Sequence, residues 1–107
     1  MSYTLDVSEK LDRSFAKLSR KDKLQFEILT RKINEILENP QIGEPLRGNM
    51  AGQRSVHIRH FCLIYEILEN EKIVRLLDYE HHDIVYHWLL SSPESHSIFF
   101  FTNKLYH

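Results

Sequence analysis

The sequence predicts a small α+β domain: an N-terminal strand and a helical hairpin, then an antiparallel meander, with the helices packed on one face of the sheet. Residues 8–39 place apolar side chains at helical spacing. Residues 54–79 form short apolar or alternating segments, which are typical of strands. Between them, residues 40–53 hold all three glycines and two of the three prolines, which predicts a loop. Helices on one face leave the other face of the sheet available for chemistry.

The first part of the chain predicts a strand and the start of the helical hairpin. YTLDV, at residues 3–7, is a short alternating segment that we interpret as the first strand. Ser8 is placed to cap the helix that follows. The apolar residues of that helix share one stripe: Leu11, Phe15 and Leu18. Ser19 is placed to cap a second helix, with Asp22 near the positive end of its dipole.

The second helix has the clearest apolar face in the sequence. That face consists of Phe26, Leu29, Ile33, Ile36 and Leu37. We expect this helix to end near Asn39, because Pro40 disfavours helical geometry in the residue before it.

The second half of the chain predicts three consecutive strands and a terminal helix. In RSVHIR two apolar residues alternate with polar ones, so that His57 and Arg59 share one face. FCLIYEI is a continuous apolar run, as in a strand covered on both faces. ENEK predicts a turn before a third strand, IVRLLDY. Residues 80–90, EHHDIVYHWLL, are interpreted as a short terminal helix.

Size and composition predict one globular domain in the cytoplasm. The 107 residues are 42% hydrophobic and 27% charged, an ordinary globular mixture. No apolar run approaches the roughly 18 to 20 residues that span a bilayer, and the first residues lack the apolar core of a signal peptide. The single cysteine, Cys62, excludes an internal disulfide and fits a reducing compartment. We therefore expect a cytoplasmic protein with no membrane association.

Charge is unevenly distributed along the chain. The net charge of −1 argues against a wholly basic nucleic-acid binder. However, residues 45–65 contain no carboxylate and hold five basic or imidazole side chains: Arg47, Arg54, His57, Arg59 and His60. A local basic surface is therefore compatible with the overall charge, because binding depends on where the charges lie.

Histidines are the candidates for acid–base chemistry, because imidazole changes protonation near neutral pH. If the terminal helix starts where the last strand ends, His82 and Tyr86 share a helical face and overhang the sheet beside His57. The simpler alternatives are that His57 is a solvated surface residue, that Tyr86 belongs to the core and that Arg54 is an ordinary surface charge.

No metal site and no cofactor is predicted. His81, His82, Asp83 and His87 are plausible ligands, but a helix turns neighbouring side chains about 100° apart. The sequence has no HExxH motif and no phosphate-binding glycine loop. Cys62 lies in an apolar strand, where a thiol usually packs as a small hydrophobe.

The order of these elements resembles the RelE/ParE superfamily of bacterial and archaeal toxins over residues 2–88. Three motifs support the resemblance: LRG at residues 46–48, RSVHI followed by LIYEI, and HHDIVY. It implies a RelE-like toxin domain at residues 1–88 and a C-terminal extension at residues 89–107.

Within the superfamily the chain is most similar to the YafQ-type mRNA endonucleases. Their strand signature corresponds to Arg54, His57 and Ile58, and their late histidine and aromatic correspond to His82 and Tyr86. By resemblance, His57 and His82 perform acid–base catalysis and Tyr86 stacks on or orients a nucleotide. The side chains that then hold RNA or phosphate are Arg54, Arg59, His60 and His81. The chain departs from the RelE-type pattern where Cys62 and His82 stand in place of arginines.

The resemblance implies the toxin of a type II toxin–antitoxin system, a metal-independent endoribonuclease that cleaves mRNA on the ribosome. RNA can be cut by its own 2′-OH, so the protein has to orient a nucleotide, transfer protons and neutralise phosphate charge. The implied partners are a cognate antitoxin, the ribosome and mRNA, with DNA reached only through the antitoxin complex. Two alternatives are a ParE-like DNA gyrase inhibitor without RNase activity and a non-catalytic interaction module.

Overall fold

The computed structural model describes residues 3–81. Its elements are, in chain order, β1 (Thr4–Val7), α1 (Glu9–Lys21), α2 (Lys23–Glu38), β2 (Glu44–Pro45), β3 (Gln53–Ile58), β4 (Phe61–Leu68) and β5 (Ile73–His81), with short 3₁₀ turns at Pro40–Ile42 and Gly48–Met50. The strands form one sheet in the order β1-β5-β4-β3-β2. The predicted α+β class, with a helical hairpin before an antiparallel meander, is confirmed.

The two edge strands complete the predicted meander of β3, β4 and β5. β1 lies parallel to β5, with pairs that run from Thr4 opposite Ile73 to Val7 opposite Leu76. β2 is only two residues long and pairs antiparallel with β3, inside the segment that we predicted to be loop. β5 therefore has β1 beside its first half only, and residues 77–81 extend beyond it.

The helices begin at polar caps, one of which differs from the prediction. Ser8 caps α1 as predicted, because its Oγ accepts a backbone N–H of the first turn at 3.2 Å. The prediction that Ser19 caps α2 is wrong: α1 continues past Ser19, whose hydroxyl donates to the Ala16 carbonyl at 2.6 Å. Asp22 caps α2, since its carboxylate accepts the Gln25 N–H at 3.1 Å. Neither α1 nor α2, the helices of the described segment, is long and apolar enough to cross a membrane.

The main core lies between the sheet and the helical hairpin. Its buried residues are Leu11, Phe15, Leu29, Ile36, Ile58, Leu63, Tyr65, Val74 and Leu76. β4 is buried on both faces, as its continuous apolar run predicts, because a smaller cluster covers part of its other face. That cluster consists of Leu46, Cys62 and Ile64. The helices thus occupy one face of the sheet, and the loop around Leu46 covers only part of the other.

The predicted terminal helix is wrong at its start, because Glu80 and His81 are the last residues of β5. β5 pairs with β4 to its end, where Phe61 stands opposite His81. The rest of that predicted helix and residues 89–107 lie outside the described residues.

Candidate functional site

The helix-free face of the sheet carries His57 near the β3–β4 turn. His57 is exposed and stands opposite Cys62, which stands opposite Glu80. Residues paired directly across a sheet point to the same side, so the three side chains form one row across β3, β4 and β5. Two interstrand spacings separate the backbones of His57 and Glu80 by about 10 Å. The row therefore presents two groups able to exchange protons, on either side of a buried thiol.

The turn of Arg59 and His60 joins β3 to β4 at this end of the sheet. Arg59 has a φ of 61°, which a residue other than glycine adopts at a cost of roughly 1 kcal/mol. The prediction that Arg59 shares a strand face with His57 is wrong, because β3 ends at Ile58 and Arg59 belongs to the turn. Burial raises the pKa of the Tyr79 hydroxyl on the helix-facing side, and the Arg59 guanidinium opposes that shift.

His60 and His81 come together, but away from His57. Their ring centroids are 6.3 Å apart and their planes differ by 13°. Phe61 contacts His81 edge-on at 5.6 Å and stacks on Tyr79 at 4.9 Å. Phe61 immediately precedes the strand residue that stands opposite His57, so its side chain points to the opposite face. His81 therefore lies on the other face of the sheet from His57.

A buried glutamine ties the β3–β4 turn to the helical hairpin. Gln25 is only 4% exposed and donates from Nε2 to the Ile58 carbonyl at 3.0 Å and to the Tyr79 hydroxyl at 2.6 Å. The first bond fixes Ile58, the residue before Arg59. The second fixes the ring of Tyr79, on which Phe61 stacks. Sequence reasoning missed Gln25, since its only signal was a polar residue on the buried face of a helix.

Arg54 lies on the opposite face of the sheet from His57, where it holds the loop of residues 40–43. It stands opposite Tyr65, which packs against the helices. Its guanidinium donates to the Gly43 carbonyl at 2.7 Å and to the carbonyl and Oε1 of Gln41 at 3.3 and 2.7 Å. Three of its donors therefore serve the fold, and its role toward RNA stays a prediction.

Cys62 is unsuited to act as a nucleophile. Burial raises the pKa of its thiol to about 12, so that the thiolate is absent near neutral pH. This agrees with the prediction that Cys62 packs as a small hydrophobe. Within residues 3–81, no group of three or more histidine, cysteine, aspartate or glutamate side chains is placed to hold a metal ion.

Two predicted site residues, His82 and Tyr86, lie outside the described residues, so their place beside His57 stays a prediction. On the described part of the helix-free face, sequence reasoning missed Glu80. The alternation along β5 was its signal, and the interpretation of residues 80–90 as a helix concealed it.

A five-stranded sheet with a helical hairpin on one face is the arrangement found in RelE-like toxins. The chain superposes on a double mutant of the Escherichia coli toxin RelE in the free state, with a TM-score of 0.65, 25% identity and coverage of 78% of this chain and 87% of that one. It also superposes on the toxin–antitoxin complex RelBE of Mycobacterium tuberculosis, with a TM-score of 0.59, 24% identity and coverage of 76% and 99%. The RelE-like fold is thereby confirmed.

Sequence comparison identifies the family. A family model described as a ParE-like toxin of type II bacterial toxin–antitoxin systems matches residues 5–89. Over 85 residues the chain is 44% identical to a protein of Methanosarcina mazei, covering 78% of this chain and 99% of that protein. Over 85 residues it is 34% identical to a Methanocaldococcus jannaschii protein that carries the name of a toxin, RelE4, covering 78% and 90%. The chain therefore belongs to the ParE-like toxins of type II toxin–antitoxin systems.

Proposed function

We propose that this toxin is a ribosome-dependent mRNA endonuclease of the YafQ type, which inhibits translation by cutting RNA without a metal ion. The observation that supports this best is the exposed imidazole of His57, in one row with Glu80 on the helix-free face. One group takes the proton of the 2′-OH as it attacks the adjacent phosphorus, and another protonates the leaving 5′ oxygen. The products are a 2′,3′-cyclic phosphate and a 5′-hydroxyl.

The remaining site residues are assigned by position and by resemblance. His82 is the second acid–base histidine, and Tyr86 stacks on a nucleotide. Arg59 neutralises phosphate charge at the end of the sheet, with His60 and His81 beside it. Arg54 uses three donors on the loop of residues 40–43 and retains two of its five for RNA.

We infer that the partner is a cognate antitoxin, because the M. tuberculosis protein of the same fold was solved as a toxin–antitoxin complex. The ribosome and its mRNA are the other partners. DNA is reached only through the antitoxin complex.

The test is primer extension on an mRNA in a reconstituted translation system, with and without ribosomes. The native chain is compared with His57→Ala, Glu80→Gln and His82→Ala, and Arg31→Gln on the exposed side of α2 is the control. We expect ribosome-dependent cuts that fall by about 10² to 10⁴-fold in the histidine variants, the usual contribution of a proton-transfer group. Absence of cuts by the native chain under every condition would overturn the proposal.

Inhibition of DNA gyrase is the second candidate, favoured by the ParE-like description of the family model. A supercoiling assay with purified gyrase separates the two candidates. Loss of supercoiling without RNA cuts identifies the gyrase inhibitor. Unchanged supercoiling together with no RNA cuts identifies a non-catalytic interaction module.

A further inference from the structure

The exposed side of α1 carries four aligned cations, which we name the α1 basic stripe: Lys10, Arg13, Lys17 and Arg20. Residues three or four positions apart share a helix face, and these four follow that spacing. All four are exposed, and they line one shallow pocket. At 1.5 Å of rise per residue the stripe is about 15 Å long. A chain with a net charge of −1 thus concentrates positive charge along one line of its surface.

Two of the three cations of α2 are paired with neighbouring acids, whereas Lys17 and Arg20 of the stripe have no ion pair within residues 3–81. Arg31 and Lys32 each lie near a glutamate of the same helix, at 3.6 and 3.2 Å. In the stripe, Arg13 approaches Glu9 at 4.0 Å, and Lys10 lines a pocket with the carboxylate-bearing Asp78. The charges of Lys17 and Arg20 are therefore directed to solvent.

Neither the helix dipole nor core packing accounts for the stripe. The dipole favours Arg20 in the last turn of α1 but disfavours Lys10 in the first. The buried side of α1 consists of Leu11 and Phe15, on a different face of the helix.

The stripe meets the candidate site at its Lys10 end. Lys10 lines a pocket together with Glu80, the carboxylate in the row with His57. A polyanion bound at that end of the sheet can therefore continue along α1.

We propose that the α1 basic stripe is a second RNA-binding surface, which anchors the toxin to the phosphate backbone of ribosomal RNA outside the cleavage site. The inference rests on the proposed function, because the toxin has to act on the ribosome. A linear row of cations continuous with an RNA site fits a phosphate backbone, which binds through charge and without reading sequence.

The test compares Lys17→Gln/Arg20→Gln with Arg31→Gln/Lys32→Gln. Each double variant removes one lysine and one arginine charge from one helix, and glutamine retains helix propensity. Binding to 70S ribosomes is measured by cosedimentation from 50 to 200 mM KCl, and RNA cleavage is measured at saturating ribosome concentration. Far-UV circular dichroism confirms that both variants are folded.

Loss of two phosphate contacts reduces the slope of log affinity against log salt concentration (the salt slope) by about 1.4 to 1.8 in magnitude. Over this fourfold salt range, the affinity of the native chain then falls about 7- to 12-fold more than that of the α1 variant. The α2 variant should keep the native slope, and cleavage at saturation should persist in both variants.

Two outcomes overturn the proposal alone. One is an unchanged salt slope in the α1 variant while the native chain binds and cuts. The other is an α1 variant that binds ribosomes as the native chain does but loses the native chain's binding to poly-L-glutamate. That result would assign the stripe to an acidic protein partner. A native chain that neither sediments with ribosomes nor cuts RNA overturns the proposed function together with this inference.

Discussion

Replacing Tyr65 with phenylalanine removes one hydroxyl that holds the loop of residues 40–43 to the sheet. Tyr65 is fully buried, and its hydroxyl accepts the Gly43 N–H at 3.0 Å and donates to the Pro40 carbonyl at 2.6 Å. Both loop residues are buried as well. The substitution therefore leaves a buried donor and a buried acceptor without their partner.

The expected loss is large because stranded polar groups cost more than a made hydrogen bond contributes. Each unsatisfied buried group costs about 1 to 3 kcal/mol. Because the loop can shift and admit water, the lower half of the summed range applies, a loss of about 2 to 4 kcal/mol in the free energy of unfolding. Tyr3→Phe is the matched control, since the Tyr3 hydroxyl bonds to Glu69 at 2.8 Å on the surface. It should cost less than about 0.5 kcal/mol.

Urea unfolding followed by far-UV circular dichroism measures both variants. At an m-value of about 1.3 to 2 kcal/mol/M, the midpoint for Tyr65→Phe should fall by about 1 to 3 M with m unchanged. Gly43→Ala tests the same contact from the loop, because the added Cβ would overlap the Tyr65 hydroxyl and lie 2.9 Å from its Cε1. A Tyr65→Phe midpoint within about 0.3 M of the native value would refute the reasoning.

Three further substitutions or conditions test other parts of the fold. Arg59→Gly should raise the urea midpoint by the equivalent of about 1 kcal/mol, because glycine adopts the positive φ without strain; a lowered midpoint would contradict this. Gln25→Leu should lower the free energy of unfolding by about 2 to 3 kcal/mol in a thermal melt, because it strands the Ile58 carbonyl and the Tyr79 hydroxyl; a native melting curve would show these bonds to be unimportant. Burial raises the pKa of the Cys62 thiol from 9.0 to about 12, so its neutral form stabilises the fold fully below pH 9 and that contribution is lost as the pH rises toward 12. Urea midpoints between pH 8 and 11 should fall less steeply for Cys62→Ala than for the native chain, and equal slopes would contradict the assignment.

Most elements of the fold could be predicted because their signals are local. The apolar periodicity of α1 and α2 and the continuous apolar run of β4 indicated which sides are buried. The second helix cap was misassigned because Ser19 and Asp22 both carry capping side chains and only packing decides between them. The place of β1 next to β5 has no local signal, since the paired residues are distant along the chain.

The candidate site could be predicted only in part. Alternation along β3 placed His57 on one face and so separated it from the core. The positive φ of Arg59 could not be foreseen, because it occurs at a residue other than glycine and it ends the alternation at the turn. The stacking of His60 on His81 depends on the register of β4 with β5 and on β5 reaching His81, neither of which the amino-acid pattern indicates.

The pairing of β1 with β5 delays completion of the sheet until β5 has been synthesised. β1 emerges from the ribosome before the other elements of the described segment, yet the strand beside it is the last of them. Until Ile73 to Leu76 are made, β1 has no neighbouring strand, and the hairpin lacks the core residues Val74 and Leu76. A nascent chain that already displays His57 therefore has no completed sheet, and long-range pairing of this kind is slow to form. Between the synthesis of His57 and the completion of the sheet by β5, a cell that makes this toxin has an interval in which a partner can bind it.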